Sequence, residues 1–319
     1  MKTPKIQVTM KKIRQKIDGV LLLDKPLGIS SNGAIQRVKH ILNAEKVGHT
    51  GTLDPEASGL LPVCLGEATK FASYLLDGDK EYLATAQLGV VTDSGDSEGN
   101  IVACNPVAVD LAQIESALAH YTITYLQIPP MYSALKYQGK PLYEYARAGI
   151  EIERPGRQVT IHELELVEYN PQLQQLKFRA RVSKGTYIRT LAEDIGNSLG
   201  CGASLLALRR LSSNEFQVDN AITLDALSEL TNNQQSLPLL STSVLVRSLT
   251  KYQLAAEDYE IIKFGNICRL ADVGDFTETT SVALFADKMF LGVAELDVGA
   301  SLLRPRRLIS GLSGINPWL

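Results

Sequence analysis

Nowhere does the 319-residue chain carry an apolar run near the ~18 residues a bilayer-spanning helix needs, so no membrane segment is expected. The one early apolar stretch, GVLLL (19–23), follows a basic start but is cut off by Asp24, Lys25 and Pro26, which argues against a secretory signal. Cysteine is scarce: Cys64, Cys104, Cys201 and Cys268 lie far apart without a CxxC pair. Histidine is equally sparse, at His40, His49, His120 and His162. Such spacing predicts neither a disulfide framework nor a metal site, and it fits a reducing, cytoplasmic setting. Internal repeats and long low-complexity tracts are missing too. What is there is an ordinary globular composition, 45% hydrophobic and 21% charged, in a chain longer than one typical domain.

Net positive charge is another absence, since 32 Lys and Arg face 35 Asp and Glu. The distribution says more than the sum. Lys2, Lys5, Lys11, Lys12, Arg14 and Lys16 all precede the first acid, Asp18. The acid-free stretch KFRARVSKGTYIRT (177–190) carries Lys177, Arg179, Arg181, Lys184 and Arg189, and Arg209-Arg210 and RPRR (304–307) follow. A polyanion meets local basic surface rather than net charge, so a nucleic-acid partner stays open.

Periodicity supplies a coarse fold. GVLLL reads as a buried strand, and SSNGAIQRVKHIL (30–42) as a serine-capped helix with Ile35, Val38 and Leu42 inward. KEYLATAQLGV (80–90) alternates as a half-buried strand, and RQVTIHELELVEY with QLKFRARVS reads as two antiparallel strands turning near Asn170-Pro171. Residues 127–156, rich in proline, glycine and tyrosine, read as a surface excursion. After Gly185 a helix is predicted with Ile188, Leu191, Ala192, Ile195 and Leu199 at core spacing. Residues 212–246 are uninformative, with TNNQQS read as loop. SVALFA, DK and MFLGVAEL (281–296) read as a hairpin, with CRLADVG before it as a short strand. Strands and helices without regular βαβ alternation predict an α+β fold around a mostly antiparallel sheet. The expected organisation is a basic, disordered extension at 1–17, a main domain at 18–248 and a small β-rich domain at 249–319.

One stretch stands apart: GHTGTLDPEASGLLP (48–62) packs three glycines, a histidine and an Asp-Pro step into a short loop. Pro55 biases Asp54 away from helical backbone, so its side chain is expected to project from a turn. An ordinary Asp-Pro carboxylate only caps its own turn. The P-type ATPase motif DKTGTLT is similar in letters, but its nucleophile stands two residues before TGTL, where this chain has Gly48, and those pumps need membrane spans.

Taken together, GVLLLDKPLGISSN, GHTGTLDPEASGLLP, LGEATKF, KEY, PPMYSALKYQGKPLYEYARAG, SKGTYIRTLAEDIG and GCGASLLALRRL resemble, in this order, the bacterial TruB family of tRNA pseudouridine synthases. The resemblance is dense from Asp18 to Leu211 and sparse beyond. It implies the pseudouridine-synthase fold, with a mostly antiparallel sheet flanked by helices, and isomerisation of uridine 55 in the T-loop of tRNA. It implies Asp54 as the catalytic aspartate, Arg189 as its arginine partner and Tyr82 as the tyrosine stacked on the target ring. Tyr187 and Leu208 then line the pocket, and His49 props the space a flipped base vacates. Lys25 and Lys136, with Lys140, become candidate phosphate contacts. By the same resemblance 127–156 is a flexible insertion closing over RNA, and 249–319 a PUA-like RNA-binding domain. Breaking N1–C1′ and forming C5–C1′ involves no net redox change or hydrolysis, so no cofactor or metal is expected. The expected partner is the tRNA T-arm, met by a monomer with no membrane and no obligate protein partner. The competing class is a non-catalytic tRNA-binding or RNA-folding module. Every position the chemistry needs is present, which favours the enzyme.

Overall fold

The computed structural model describes residues 13–312 and Pro317. Strand β1 (Gly19–Lys25) opens the fold, and helix α1 (Ser31–Ile41) follows, capped by Ser30, whose hydroxyl accepts from Gly33 N at 3.0 Å. Residues 19–23 of β1 are apolar because the strand is buried on both faces: Leu21 and Leu23 pack with Ala34 and Val38, while Val20 and Leu22 pack with Phe71 and Phe290. Next come β2 (Val47–His49), β3 (Ala57–Leu65), β4 (Lys80–Leu88) and a small hairpin of β5 (Val90–Thr92) and β6 (Ile101–Cys104). Helix α2 (Leu111–Tyr121) carries a capping box, with Asp110 and Gln113 exchanging bonds at 2.8 and 2.9 Å.

The chain then runs through β7 (Thr124–Gln127), a two-residue ladder of β8 (Lys136–Tyr137) with β9 (Lys140–Pro141), α3 (Leu142–Arg147), β10 (Arg157–Asn170) and β11 (Gln175–Val182). Helix α4 (Ile188–Ser198), β12 (Ala203–Ser213), β13 (Phe216–Gln217), α5 (Leu224–Asn232) and β14 (Leu239–Leu240) complete this part. The 10-stranded central sheet runs β14-β1-β3-β12-β4-β11-β10-β7, with β2 and β13 pairing β3 and β12 at the sides. Every pair in it is antiparallel except β3 with β12.

Beyond it, β15 (Thr250–Gln253), α6 (Ala256–Ile262), β16 (Cys268–Arg269), β17 (Thr280–Ala286), β18 (Met289–Asp297) and β19 (Leu302–Leu308) form a 5-stranded sheet in the order β15-β17-β18-β19-β16. The expected hairpin is β17 and β18, turning at Asp287, but CRLADVG contributes strand only at Cys268–Arg269. TNNQQS begins as the last turn of α5 rather than as loop. The 127–156 excursion is rooted in the protein: Gln127, Ser133 and Leu142 are buried. Of the basic extension, residues 1–12 lie outside the described residues. Its end is fixed, because Gln15 bridges to Ala44 and Asn43 Nδ2 donates to Ile13 O at 2.7 Å. Among the described residues no helix is long and apolar enough to cross a membrane.

Candidate active site

Asp54 lies on the loop between β2 and β3, and that loop is gripped through its backbone. Ser31 Oγ, at the start of α1, accepts from Leu53 N at 2.7 Å and donates to Leu53 O at 2.9 Å. Gly28 N donates to Pro55 O at 2.9 Å. From β12, Arg210 donates to Gly51 O at 3.3 Å and Leu60 O at 2.7 Å. The loop is thereby fixed while the Asp54 side chain stays 53% exposed.

Facing it is Arg189 on the first turn of α4, only 7% exposed at its side chain. Nη2 lies 3.2 Å from Asp54 Oδ2 and donates to Tyr132 O at 2.6 Å, while Nη1 donates to Asp96 Oδ2 at 3.0 Å and Ser94 O at 3.3 Å. Asp96 is itself held by Ser94 Oγ at 2.6 Å and Glu98 N at 3.2 Å. A guanidinium tied at both ends has one orientation, and it presents that orientation to Asp54. Among the described residues the ion pairs of Arg189 are with Asp54 and Asp96, and not with Glu193 one turn on in the same helix. Burial, with the neighbouring Asp194 next, pushes the Glu193 carboxyl up to about 7 against the pull of Arg189.

Asp54, Tyr82, Tyr187, Arg189 and Leu208 line one pocket of about 310 Å³, together with Thr52 and Ser133 among others. Tyr82 and Leu208 come from adjacent strands, β4 and β12, whose register sets Tyr82 opposite Arg210 and Leu208 opposite Ala84. Tyr187 caps α4 and is pinned by the Gln127 amide, which accepts from Tyr187 N at 2.8 Å and donates to Tyr187 O at 3.2 Å. Burial raises the Tyr187 phenol, so it stays neutral and able to donate. A carboxylate beside two aromatic rings and an aliphatic wall suits a flat heterocycle with a sugar at its edge.

The remaining sequence-predicted residues lie elsewhere. His49 sits half-buried on β2, where its Nδ1 accepts from Gly51 N at 3.4 Å; burial first and Arg210 second lower its pKa, favouring neutral imidazole. Lys136 is exposed on β8, next to the pocket residues Ser133–Leu135. Lys140 faces Glu144 at 3.7 Å. Lys25 corrects the expectation of a phosphate contact: it is fully buried, and its ammonium donates to Pro26 O at 2.9 Å, Ile29 O at 2.7 Å and Pro55 O at 3.4 Å. Its place is underneath the Asp54 loop. Sequence reasoning missed Ser31, Asp96, Gln127 and Arg210, whose roles arise from contacts distant along the chain; Ser31, Gln127 and Arg210 lay in stretches already singled out, whereas Asp96 lay in none. Among the described residues no group of three or more His, Cys, Asp or Glu side chains is placed to hold a metal.

This is the fold of a pseudouridine synthase. Two solved structures share it: an H/ACA ribonucleoprotein bound to a substrate RNA containing 2′-deoxyuridine (TM-score 0.70, 23% identity, 94% of this chain and 88% of that one) and a Cbf5-Nop10-Gar1 complex (TM-score 0.69, 25% identity, 92% and 86%). In sequence, the TruB family pseudouridylate synthase N-terminal domain matches residues 39–188, and the tRNA pseudouridylate synthase B C-terminal domain matches 189–247. A tRNA pseudouridine synthase B from Azoarcus sp. (strain BH72) is 50% identical, covering 94% of this chain and 98% of the relative. That from Chromobacterium violaceum is 48% identical, covering 93% and 96%. The chain belongs to the TruB family of pseudouridylate synthases.

Proposed function

We propose that this pseudouridine synthase isomerises uridine 55 in the T-loop of tRNA, with Asp54 as the catalytic carboxylate. The observation that carries the reading is the oriented Asp54–Arg189 pair, 3.2 Å apart, in a pocket walled by Tyr82, Tyr187 and Leu208. The tRNA substrate is supported by the relatives named tRNA pseudouridine synthase B, and the T-loop position by the motif blocks of the sequence. The target base is stacked within a folded loop, so it is flipped out at a cost of a few kcal/mol. The Asp54 carboxylate then serves the sugar carbon, as nucleophile or as counter-charge, while the N1–C1′ bond breaks. The detached ring turns against Tyr82, C5 bonds to C1′, and the C5 proton leaves as N1 takes one up. Arg189 holds Asp54 in place through these steps. The exposed basic residues, Lys136 among them, supply sequence-independent attraction for the RNA. The 249–319 sheet is an additional RNA surface in this reading.

The test is isotope release. Full-length protein and Asp54→Asn are each incubated with a tRNA transcript labelled at C5 of its uridines, and a second transcript carries cytidine at position 55. Wild type releases label from the first transcript alone, and Asp54→Asn releases none while its tRNA affinity stays within a few-fold. Release by a verified Asn variant removes Asp54 from the chemistry; release from the second transcript removes position 55. Binding without release by wild type makes the chain the non-catalytic module.

A further inference from the structure

The wall formed by Thr52, Tyr82, Thr186 and Tyr187 has a second side. Those four residues also line a neighbouring pocket of about 210 Å³, whose lining includes Lys80 and Arg210. Both cations are buried, Lys80 at 8% exposure and Arg210 at 1%. Among the described residues neither makes an ion pair. Lys80 Nζ donates to Leu76 O at 2.7 Å and Gly78 O at 2.6 Å. Arg210 uses Nε and Nη2 on Leu60 O and Gly51 O, and its Nη1 meets no acceptor among the described residues. The carboxylates nearest Lys80 are engaged elsewhere: Asp77 with Lys184 at 2.7 Å, and Asp79 with Arg181 and His162, both at 3.2 Å.

Two buried positive charges without a counter-ion are costly, on the order of several kcal/mol each, where neutral donors could bond the same carbonyls. The arrangement makes physical sense if an anion completes it. Burial first and Arg210 second hold the Lys80 ammonium down at about 8, so the group is still mostly charged at neutral pH and an arriving anion would favour that charged form further. The mouth suits a backbone rather than a base. Gly185 has open space around it, and Thr52 is exposed. Because the two pockets share a wall, a nucleotide with its base against Tyr82 and Tyr187 carries its flanking phosphodiesters past the second pocket.

We propose that this second pocket takes a backbone phosphate of the RNA adjoining the flipped uridine, with Arg210 and Lys80 as its counter-charges. The inference rests on the function proposed above. Its test uses T-arm hairpins in which single phosphates are replaced, one at a time, by neutral methylphosphonates, bound to wild type and to Lys80→Met. One replacement flanking the target uridine weakens wild-type binding about tenfold, as expected for losing a charge-assisted contact, and replacements farther along the loop weaken it much less. Lys80→Met weakens binding of the all-phosphate hairpin about tenfold but that of the flanking methylphosphonate hairpin less than about twofold, because the lost partner is the same. Equal effects at flanking and remote phosphates overturn the proposal, as does a Lys80→Met loss that is the same on both hairpins. If Lys80→Met does not fold, the wild-type series decides. Isotope release from the unmodified hairpin is read alongside: no release overturns the function and this proposal with it, whereas release without a flanking-phosphate effect overturns this proposal alone.

Discussion

Asp54 is exposed and yet held, because the neighbouring elements grip its loop by the backbone and leave the carboxylate to Arg189. Lys25 shows what that grip is worth. Lys25→Met keeps the apolar stem and removes a buried ammonium, but it leaves the carbonyls of Pro26, Ile29 and Pro55 without their donor. Turnover is expected to fall at least about tenfold through misplacement of Asp54, with RNA affinity unchanged within about twofold. A large affinity loss at unchanged kcat would return Lys25 to the phosphate-binding role read from the sequence. Glu193 gives a pH signature. Its folded pKa of about 7 stands above the ordinary 4.5, so stability is fully present below pH 4.5 and is lost as pH rises through 7. Glu193→Gln should narrow the gap in thermal stability between pH 5 and pH 8 by roughly 1–3 kcal/mol. A gap that keeps its size would place the titration elsewhere. At this scale the sequence was most legible where a residue sits inside a dense motif, as Asp54, Arg189 and Tyr82 do. It was least legible where the role depends on a distant partner: Asp96 acquires its role only by meeting Arg189 across 93 positions.

Among the elements, the parallel contact of β3 with β12 decides the geometry of the site. It sets Ala57 opposite Leu208 and Gly59 opposite Arg210, so the loop that carries Asp54 enters the sheet beside the strand that supplies the pocket wall. Gly59 makes that approach possible. It has φ +102°, and a Cβ there would stand 2.3 Å from Arg210 O. Gly59→Ala is therefore expected to cost about 3 kcal/mol or more in urea unfolding, since both backbones would have to part. Gly149→Ala is the control: it also has a positive φ, but no neighbour lies within 4 Å, and it should cost about 1 kcal/mol. Similar losses at the two positions would mean that φ alone, not the close approach, is what Gly59 answers. Neither β3 nor β12 was read as a strand from sequence. Strands buried among others lose the polar–apolar alternation that marks β4, and nothing in either run encodes which neighbour it takes.

For the molecule as a whole, the telling feature is that the two sheets share a core. Ala283, Phe290 and Val293 of the second sheet pack in one cluster with Leu60, Phe71, Leu75 and Val244–Val246 of the first part, and Phe71 meets Phe290 edge-on at 5.2 Å. Lys70 donates to Leu308 O at 3.1 Å and Ser310 Oγ at 2.8 Å across the same junction. The change of pattern near residue 249 was visible in the sequence, but this packing was not, because an inward Phe looks the same whichever core it fills. Deleting 249–319 thus strips one wall from a common core instead of removing an appendage. The truncated protein should melt at lower temperature, bind a hydrophobic dye and lose activity for that reason, so truncation says little about RNA contact. Charge answers that question without disturbing the core. Arg306 and Arg307 are exposed on β19, where Arg306 pairs with Glu295 at 2.5 Å, and replacing both by glutamine removes two positive charges from the surface. If the second sheet meets RNA there, the slope of log affinity against log salt should flatten by about 1 to 2 while the melting temperature stays within a degree or two of wild type. An unchanged slope with an unchanged melting temperature would assign this face of the sheet to supporting the shared core and leave RNA attraction to the basic residues around the pocket.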